Sequence, residues 1–225
     1  MEKKFNLYDL LGFGIPGAIF LFIIYGIGRE LELVPVIDGT IATSFGFLAI
    51  SYVLGHVILH FAKLQNPAKY HLSKKLLNDE DKNLPKHLKD AIKKAVADKL
   101  KIDFSRCKSD KDREEVNQTI FDLCYTCVIQ QEKGFYTENF NALYGMCRSM
   151  GCLTYFALFY TVLIFYNRFA PGSFWGMLFI VLATWFWLYV QDIFVKAWKG
   201  YAESFALSVY KAFYCSIRAE EKVET

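Results

Sequence analysis

The sequence predicts an all-α polytopic membrane protein. Four transmembrane helices are expected, with a helical cytoplasmic layer formed by the insert between spans two and three and by extensions of spans three and four. Three observations point there: four uncharged apolar stretches of bilayer length, a one-sided distribution of cations, and helical periodicity that continues outside those stretches.

The 225 residues are 54% hydrophobic and 17% aromatic, against about 45–50% apolar residues in an ordinary soluble domain. Most of the excess lies in Leu10–Gly28, Ile41–Phe61, Cys152–Asn167 and Phe174–Val190. At 1.5 Å per residue such helices rise roughly 25–32 Å, matching a hydrocarbon core of about 30 Å. The third stretch is the shortest and is expected to begin a turn earlier, near Met150. A single soluble globular domain is excluded. Met1–Lys4 is short, basic and followed by an apolar run, as in a secretory signal. No small-residue cleavage site follows Ile27 and three more spans come after, so the first helix is expected to be retained.

The net charge of +3 gains meaning when sorted by loop. Of the 26 Lys and Arg, seventeen lie between Lys63 and Arg148, two precede span one, and five follow span four. Only Arg29 and Arg168 fall in the other two loops. The positive-inside bias then puts both termini and the insert in the cytoplasm. Trp175 is expected at the outer interface, with Tyr8 and Trp198 at the inner one. The resulting organisation is an N-terminal hairpin (1–63), a cytoplasmic insert (64–150), a second hairpin (151–192) and a cytoplasmic C-terminal helix (193–225).

Within the insert, Asn66-Pro67 breaks the extension of span two. After the acidic Asp79-Glu80-Asp81, Pro85 suits a first helical turn, and Leu88, Ile92, Ala95, Val96 and Leu100 follow at helical spacing. The opposite face carries Lys86, Lys89, Lys93, Lys94 and Lys101, either solvated or laid on anionic lipid; the interleaved Asp90 and Asp98 favour solvent. A second helix runs from about Asp112 to Gln131, ending at Glu132-Lys133-Gly134. Thr137 resembles an N-cap, and Phe140, Leu143, Tyr144, Cys147 and Met150 lead on into span three without a breaker. After span four, Phe194, Trp198, Tyr201, Phe205, Val209 and Phe213 form an aromatic stripe that something must cover. The same chain could cover it, or a neighbouring subunit or partner protein.

Six cysteines fall on or near the cytoplasmic side: Cys107, Cys124, Cys127, Cys147, Cys152 and Cys215. Reduced thiols are expected there. Cys124-Tyr-Thr-Cys127 has the spacing of a zinc half-site or redox pair, but no second pair follows at zinc-ribbon spacing. On a helix, i and i+3 place both sulfurs on the face of Ile120, Leu123 and Val128, where they would pack as small hydrophobes.

His56 and His60 share a face of span two, His56 roughly 7–8 Å inside its inner end and His60 near the boundary. Ionisable groups at such depth usually face the bundle interior or water. The pair could be structural, bonded to Tyr52, Tyr160, Asp192 or a backbone carbonyl; it could line or gate a pore; or it could hold a metal. Val57, Ile58 and Leu59 stand where a metalloprotease needs its glutamate. Gln191 and Asp192 mark the inner end of span four at a depth similar to His60, which would suit an Asp–His pair. Asp9 has a plainer role beside the exposed amides of a helix start. No nucleotide loop, catalytic triad order, paired glycosidase carboxylates or iron–sulfur pattern is present, so no catalytic residue, metal or cofactor is assigned. Four spans without an internal repeat argue against a secondary transporter.

Span one contains Gly12-Phe-Gly14-Ile-Pro16-Gly17, in which Pro16 and Gly17 predict a kink, and with Ser44, Gly46, Ser51 and Gly55 of span two the first hairpin is the part most able to pack closely or to move. The run Phe5-Asn-Leu-Tyr8-Asp9-Leu-Leu-Gly12-Phe-Gly14-Ile-Pro16-Gly17 resembles the start of small bacterial membrane proteins of antiviral defence loci, of abortive-infection or CRISPR-accessory type. The resemblance covers about the first 25 residues and the four-span layout. It implies an inner-membrane effector or partner in phage defence and supplies no catalytic residue. The leading expectation is therefore an oligomer whose cytoplasmic helices receive a signal and whose spans perturb the bilayer or form a pore. The alternative is a non-conducting anchor or sensor that recruits a soluble protein through Lys86–Arg113 and Trp198–Phe213. The expected partners are the lipid bilayer, further copies of the chain and a cytoplasmic protein; direct nucleic-acid binding is not expected.

Overall fold

The computed structural model describes residues 9–36, 41–65, 72–100, 109–130, 135–169 and 173–221. The inner-interface position expected for Tyr8, the Asn66-Pro67 breaker, Cys107 and Glu132-Lys133-Gly134 lie outside them. Among the described residues there is no strand. The helices are α1 (Ile15–Glu30), α2 (Ile41–Gln65), α3 (Lys86–Leu100), α4 (Asp110–Gln130), α5 (Phe135–Arg168) and α6 (Phe174–Glu221). A π-helical turn, Leu10–Gly14, precedes α1, and a 3₁₀ turn, Leu72–Lys74, precedes α3. Four of the helices, α1, α2, α5 and α6, are long and apolar enough to cross a membrane. The chain divides into two compact units: unit one is Met1–Ala68 with Ala142–Gly200, and unit two is Lys69–Asn141 with Tyr201–Thr225. The helical insert thus gives way to unit one at Ala142, before Met150, and α6 runs on past Gly200 unbroken.

In unit one, the start of α1 reflects the chemistry of Pro16. Proline offers no N–H to Gly12, and its ring would crowd that carbonyl. The preceding turn widens to π geometry, with the Ile15 amide bonding back to Leu10 five residues away. Sequence alone suggested a kink at Pro16; the structure shows a wide turn just before it. Asp9 does not cap this turn through its side chain. Its carboxylate instead accepts a bond from the Tyr52 hydroxyl at 3.4 Å. The other end of α1 is closed by a left-handed cap: Glu32 has φ 57°, and the amides of Glu32 and Leu33 reach Arg29 and Gly28 carbonyls at 3.1 and 2.8 Å.

Glycines set the spacing of α1 and α2. A Cβ on Gly17 would lie 1.7 Å from the Ser51 carbonyl oxygen, and one on Gly55 would lie 2.0 Å from that of Phe13. The two backbones therefore touch where side chains are missing. Beside this contact Phe20, Ile58, Ala62, Cys152 and Leu153 form the unit's buried apolar cluster. Between α5 and the first part of α6, the Trp187 indole donates to Thr161 Oγ1 at 3.0 Å and Phe165 stacks on Phe179 at 5.2 Å. Ser173 Oγ accepts the Gly176 amide at 3.1 Å and caps the start of α6.

Unit two closes around α4. Ser109 and Asp112 exchange side-chain-to-amide bonds of 3.1 Å, a capping box that starts this helix. Ile120, Phe121, Cys124 and Val128 of α4 meet Ile92 and Val96 of α3, Leu76, Leu77 and Leu84, and Ala206, Val209, Tyr210 and Phe213 of α6. Phe121 and Tyr125 meet Phe205 edge to face at 5.7 and 5.5 Å. Thr137, expected as an N-cap, lies buried inside the first turn of α5, which begins at Phe135.

Lys89 departs from the solvated face assigned to it, being only 2% exposed. Its ammonium is held by the carbonyls of Asn78 and Asp81, so the acidic-patch loop wraps over it instead of leaving it in water. Asn117 pins the same loop, donating to Lys74 O and Asn78 Oδ1, both at 2.8 Å. Asp79 remains exposed and pairs with Lys93 at 2.8 Å; that bond and charge hold its carboxyl below the usual range.

The CxxC follows its packing reading in part: Cys124 is fully buried and Cys127 half-buried. Burial, and secondarily the neighbouring Cys127, pushes the Cys124 thiol up to about 12. Maleimide labelling of the folded protein at pH 8, mapped by peptide mass, is therefore expected to modify exposed Cys215 and spare Cys124 until the chain is denatured. Equal labelling of both in the folded state would contradict the burial of Cys124.

Candidate functional site

Unit one carries polar groups along the C-terminal part of α2, on α5 and near Gln191 of α6. On α2 the His56 ring stacks on Phe13 at 3.7 Å and 19°, and meets Tyr52 edge to face at 4.9 Å. Phe13 lies in the π-helical turn, so the chain start positions this histidine. His56 and His60 are both exposed at the surface of the chain. Asp192 bonds Lys196, one turn along its own helix, at 2.5 Å. The Gln191 amide donates to the Tyr155 hydroxyl of α5. The Asp–His pair suggested by depth is thus replaced by an Asp–Lys pair, because i,i+4 neighbours on one helix meet at little conformational cost. Of the candidates, the structure joins His56 to Tyr52 and Gln191 to Tyr155; it does not gather all four residues into one cluster. Among the described residues no group of three or more His, Cys, Asp or Glu could hold a metal ion.

The aromatic stripe divides likewise. Trp198 is buried in unit one, stacked with Tyr144 at 6.0 Å and 24°. Val209 and Phe213 are buried in the core of unit two, and Phe205 packs against Phe121 and Tyr125 there. Tyr201 is half-buried. These residues were candidates for recruiting a partner. The correction is that α4 already covers most of the stripe beyond Tyr201, so it is core and not a free docking face.

The most developed polar site is one that sequence reasoning passed over. Arg148 of α5 is 8% exposed. Its Nε and Nη2 donate to the carbonyls of Ala62 and Lys63 at 3.3 Å each, and its Nη1 donates to the Tyr144 hydroxyl at 2.9 Å. Ala62 and Lys63 belong to the last described turn of α2, and their carbonyls point toward its C-terminal end. A guanidinium there bonds both and meets the negative end of the helix dipole. Its carbon also lies 5.8 and 5.7 Å from the ring centres of Tyr144 and Trp198. One buried cation therefore ties together α2, α5 and α6. Counted only as the last positive charge of the insert, Arg148 seemed unremarkable. The usable signal was its isolation in an apolar helix, four residues after a tyrosine.

The arrangement provides no nucleophile beside a base. It provides a cation clamp at one end of the bundle, next to α2, the helix that bears His60. Arg148→Met is expected to lower stability in detergent by about 1.5–3 kcal/mol, the loss of charge-assisted bonds to buried carbonyls. Arg148→Lys is expected to recover only part of it, because an ammonium lacks the planar fork. Reversible denaturation of the three proteins checks this, and wild-type stability in Arg148→Met would contradict it. No protein-family model matches the chain, and neither a curated protein nor a solved structure matches it, so its function rests on its own residues.

Proposed function

We propose that the chain acts as an oligomer in a bacterial inner membrane, as a defence-associated effector. Its cytoplasmic unit two would receive a signal, and its spans would then perturb the bilayer or conduct ions. The observation that carries this reading is the exposure of His56, roughly 7–8 Å inside the inner end of span two, on the surface of a single chain. Ionisable side chains at membrane depth are stable against protein or water, not against lipid tails, and neighbouring copies would supply both. Four helices are too few to enclose a wide path, so conduction requires several copies. The sorting of Lys and Arg supports cytoplasmic termini. The resemblance of Phe5–Gly17 to defence-associated membrane proteins supports the biological setting.

A non-conducting anchor is the alternative, favoured by one feature: unit two builds a core of its own from the insert and the end of α6, as a recruiting module would. Controlled expression with a membrane-potential dye separates the two. The effector reading predicts depolarisation on induction with the trigger present, weakened in His56→Ala/His60→Ala. Unchanged potential under those conditions contradicts it and leaves the anchor.

A further inference from the structure

Two adjoining cavities lie along α1 in unit one. The inner one, of about 350 Å³, is walled by Ile19, Ile23, Leu153, Ala157, Trp187 and Phe194. The second, of about 450 Å³, ends at Arg29. Ile19, Ile23 and Tyr160 line both, so the two spaces share a wall, the second following α1 to Arg29 and the first lying against α5 and α6. Gly26 makes this possible: a Cβ there would come within 2.4 Å of the Tyr160 ring, which lies directly on the α1 backbone.

The walls are almost wholly apolar, and most of their polar groups are already hydrogen-bonded. Thr154 and Thr161 donate to the carbonyls of Gly151 and Ala157, and the Trp187 indole donates to Thr161. Such a surface offers water no partners and favours an apolar occupant. The length is also informative. From Ile19 to Arg29 an α-helix rises about 15 Å, half of a hydrocarbon core of about 30 Å. The second cavity therefore runs the depth of one leaflet, from its middle to its headgroup surface, and the first continues past the middle toward Met150 and Phe194.

At the surface end stands a positioned cation. Arg29 Nη1 donates to Val34 O at 2.9 Å, a bond made possible by the left-handed turn at Glu32. A guanidinium has five donors, so this bond fixes its place and leaves capacity for a phosphate. The neighbouring carboxylate of Glu30 is partly neutralised by Arg168 at 3.6 Å. We propose that this groove is a lipid site: one acyl chain of an anionic glycerophospholipid fills the two cavities, and its phosphate rests on Arg29. The site lies apart from the Arg148 clamp and does not depend on the effector reading.

The test is native mass spectrometry of the full chain in detergent, offered equal amounts of phosphatidylglycerol and phosphatidylcholine. One retained lipid per chain is expected, with phosphatidylglycerol favoured about tenfold, because the choline cation of phosphatidylcholine offsets the phosphate charge that Arg29 meets. Arg29→Gln, a change at an exposed side chain, is expected to keep the bound lipid and lose the headgroup preference. Ala157→Phe, which fills the inner cavity, is expected to abolish retention. The proposal is overturned if the wild type retains no lipid. It is equally overturned if Arg29→Gln keeps the full preference, or if folded Ala157→Phe retains lipid like the wild type.

Discussion

Unit one depends on the contact of two backbones. At Gly17 and Gly55 the helices α1 and α2 approach so closely that no Cβ would fit on either side. In a membrane no hydrophobic force presses helices together, so association rests on packing, and missing side chains permit the closest packing. Everything nearby inherits its place from this contact. Phe13 reaches His56, Tyr52 reaches Asp9, and Phe20 meets the cluster of Ile58, Ala62 and Leu153. The end of α2 is thereby presented to Arg148.

The chain solves one problem twice with buried cations. Carbonyls at a helix end or in a tight loop need donors, and burial removes water as the source. In unit one Arg148 serves the last described turn of α2; in unit two Lys89 serves the loop at Asn78 and Asp81. Each is a single side chain replacing several waters. The difference in residue type follows the geometry, since a planar fork spans two successive helix carbonyls and a point charge fits a loop wrapped around it.

The architecture was legible in the sequence because apolar length and helical period are local signals. The four spans, part of the α4 core face and the unbroken run of α6 can be read from spacing alone; Ile120, Cys124 and Val128 are buried, whereas Leu123, read on the same face, is exposed. Tertiary partners could not. His56 and Asp192 share a depth but not a contact, because Phe13 and Lys196 are nearer. Lys89 has the periodicity of a solvated residue and is buried by a loop whose path spacing does not encode. The wide turn before Pro16 was half-legible: proline forbids the regular bond, while the remedy depends on neighbours. Gly17 stands out in the sequence, and Ser51 and Gly55 are among the small residues of span two able to pack closely, yet that these three meet follows only from the register of the two helices.

The measurement that tests the account most directly is the unfolding free energy of glycine-to-alanine variants in mixed micelles. Gly17→Ala and Gly55→Ala force backbones apart and are expected to lower stability by about 1–3 kcal/mol, as overpacking does. Gly46→Ala has open space around its Cβ and is expected to stay within about 1 kcal/mol of wild type, with the helix favoured. If Gly17→Ala is as stable as Gly46→Ala, the two helices do not meet at their backbones and the account fails.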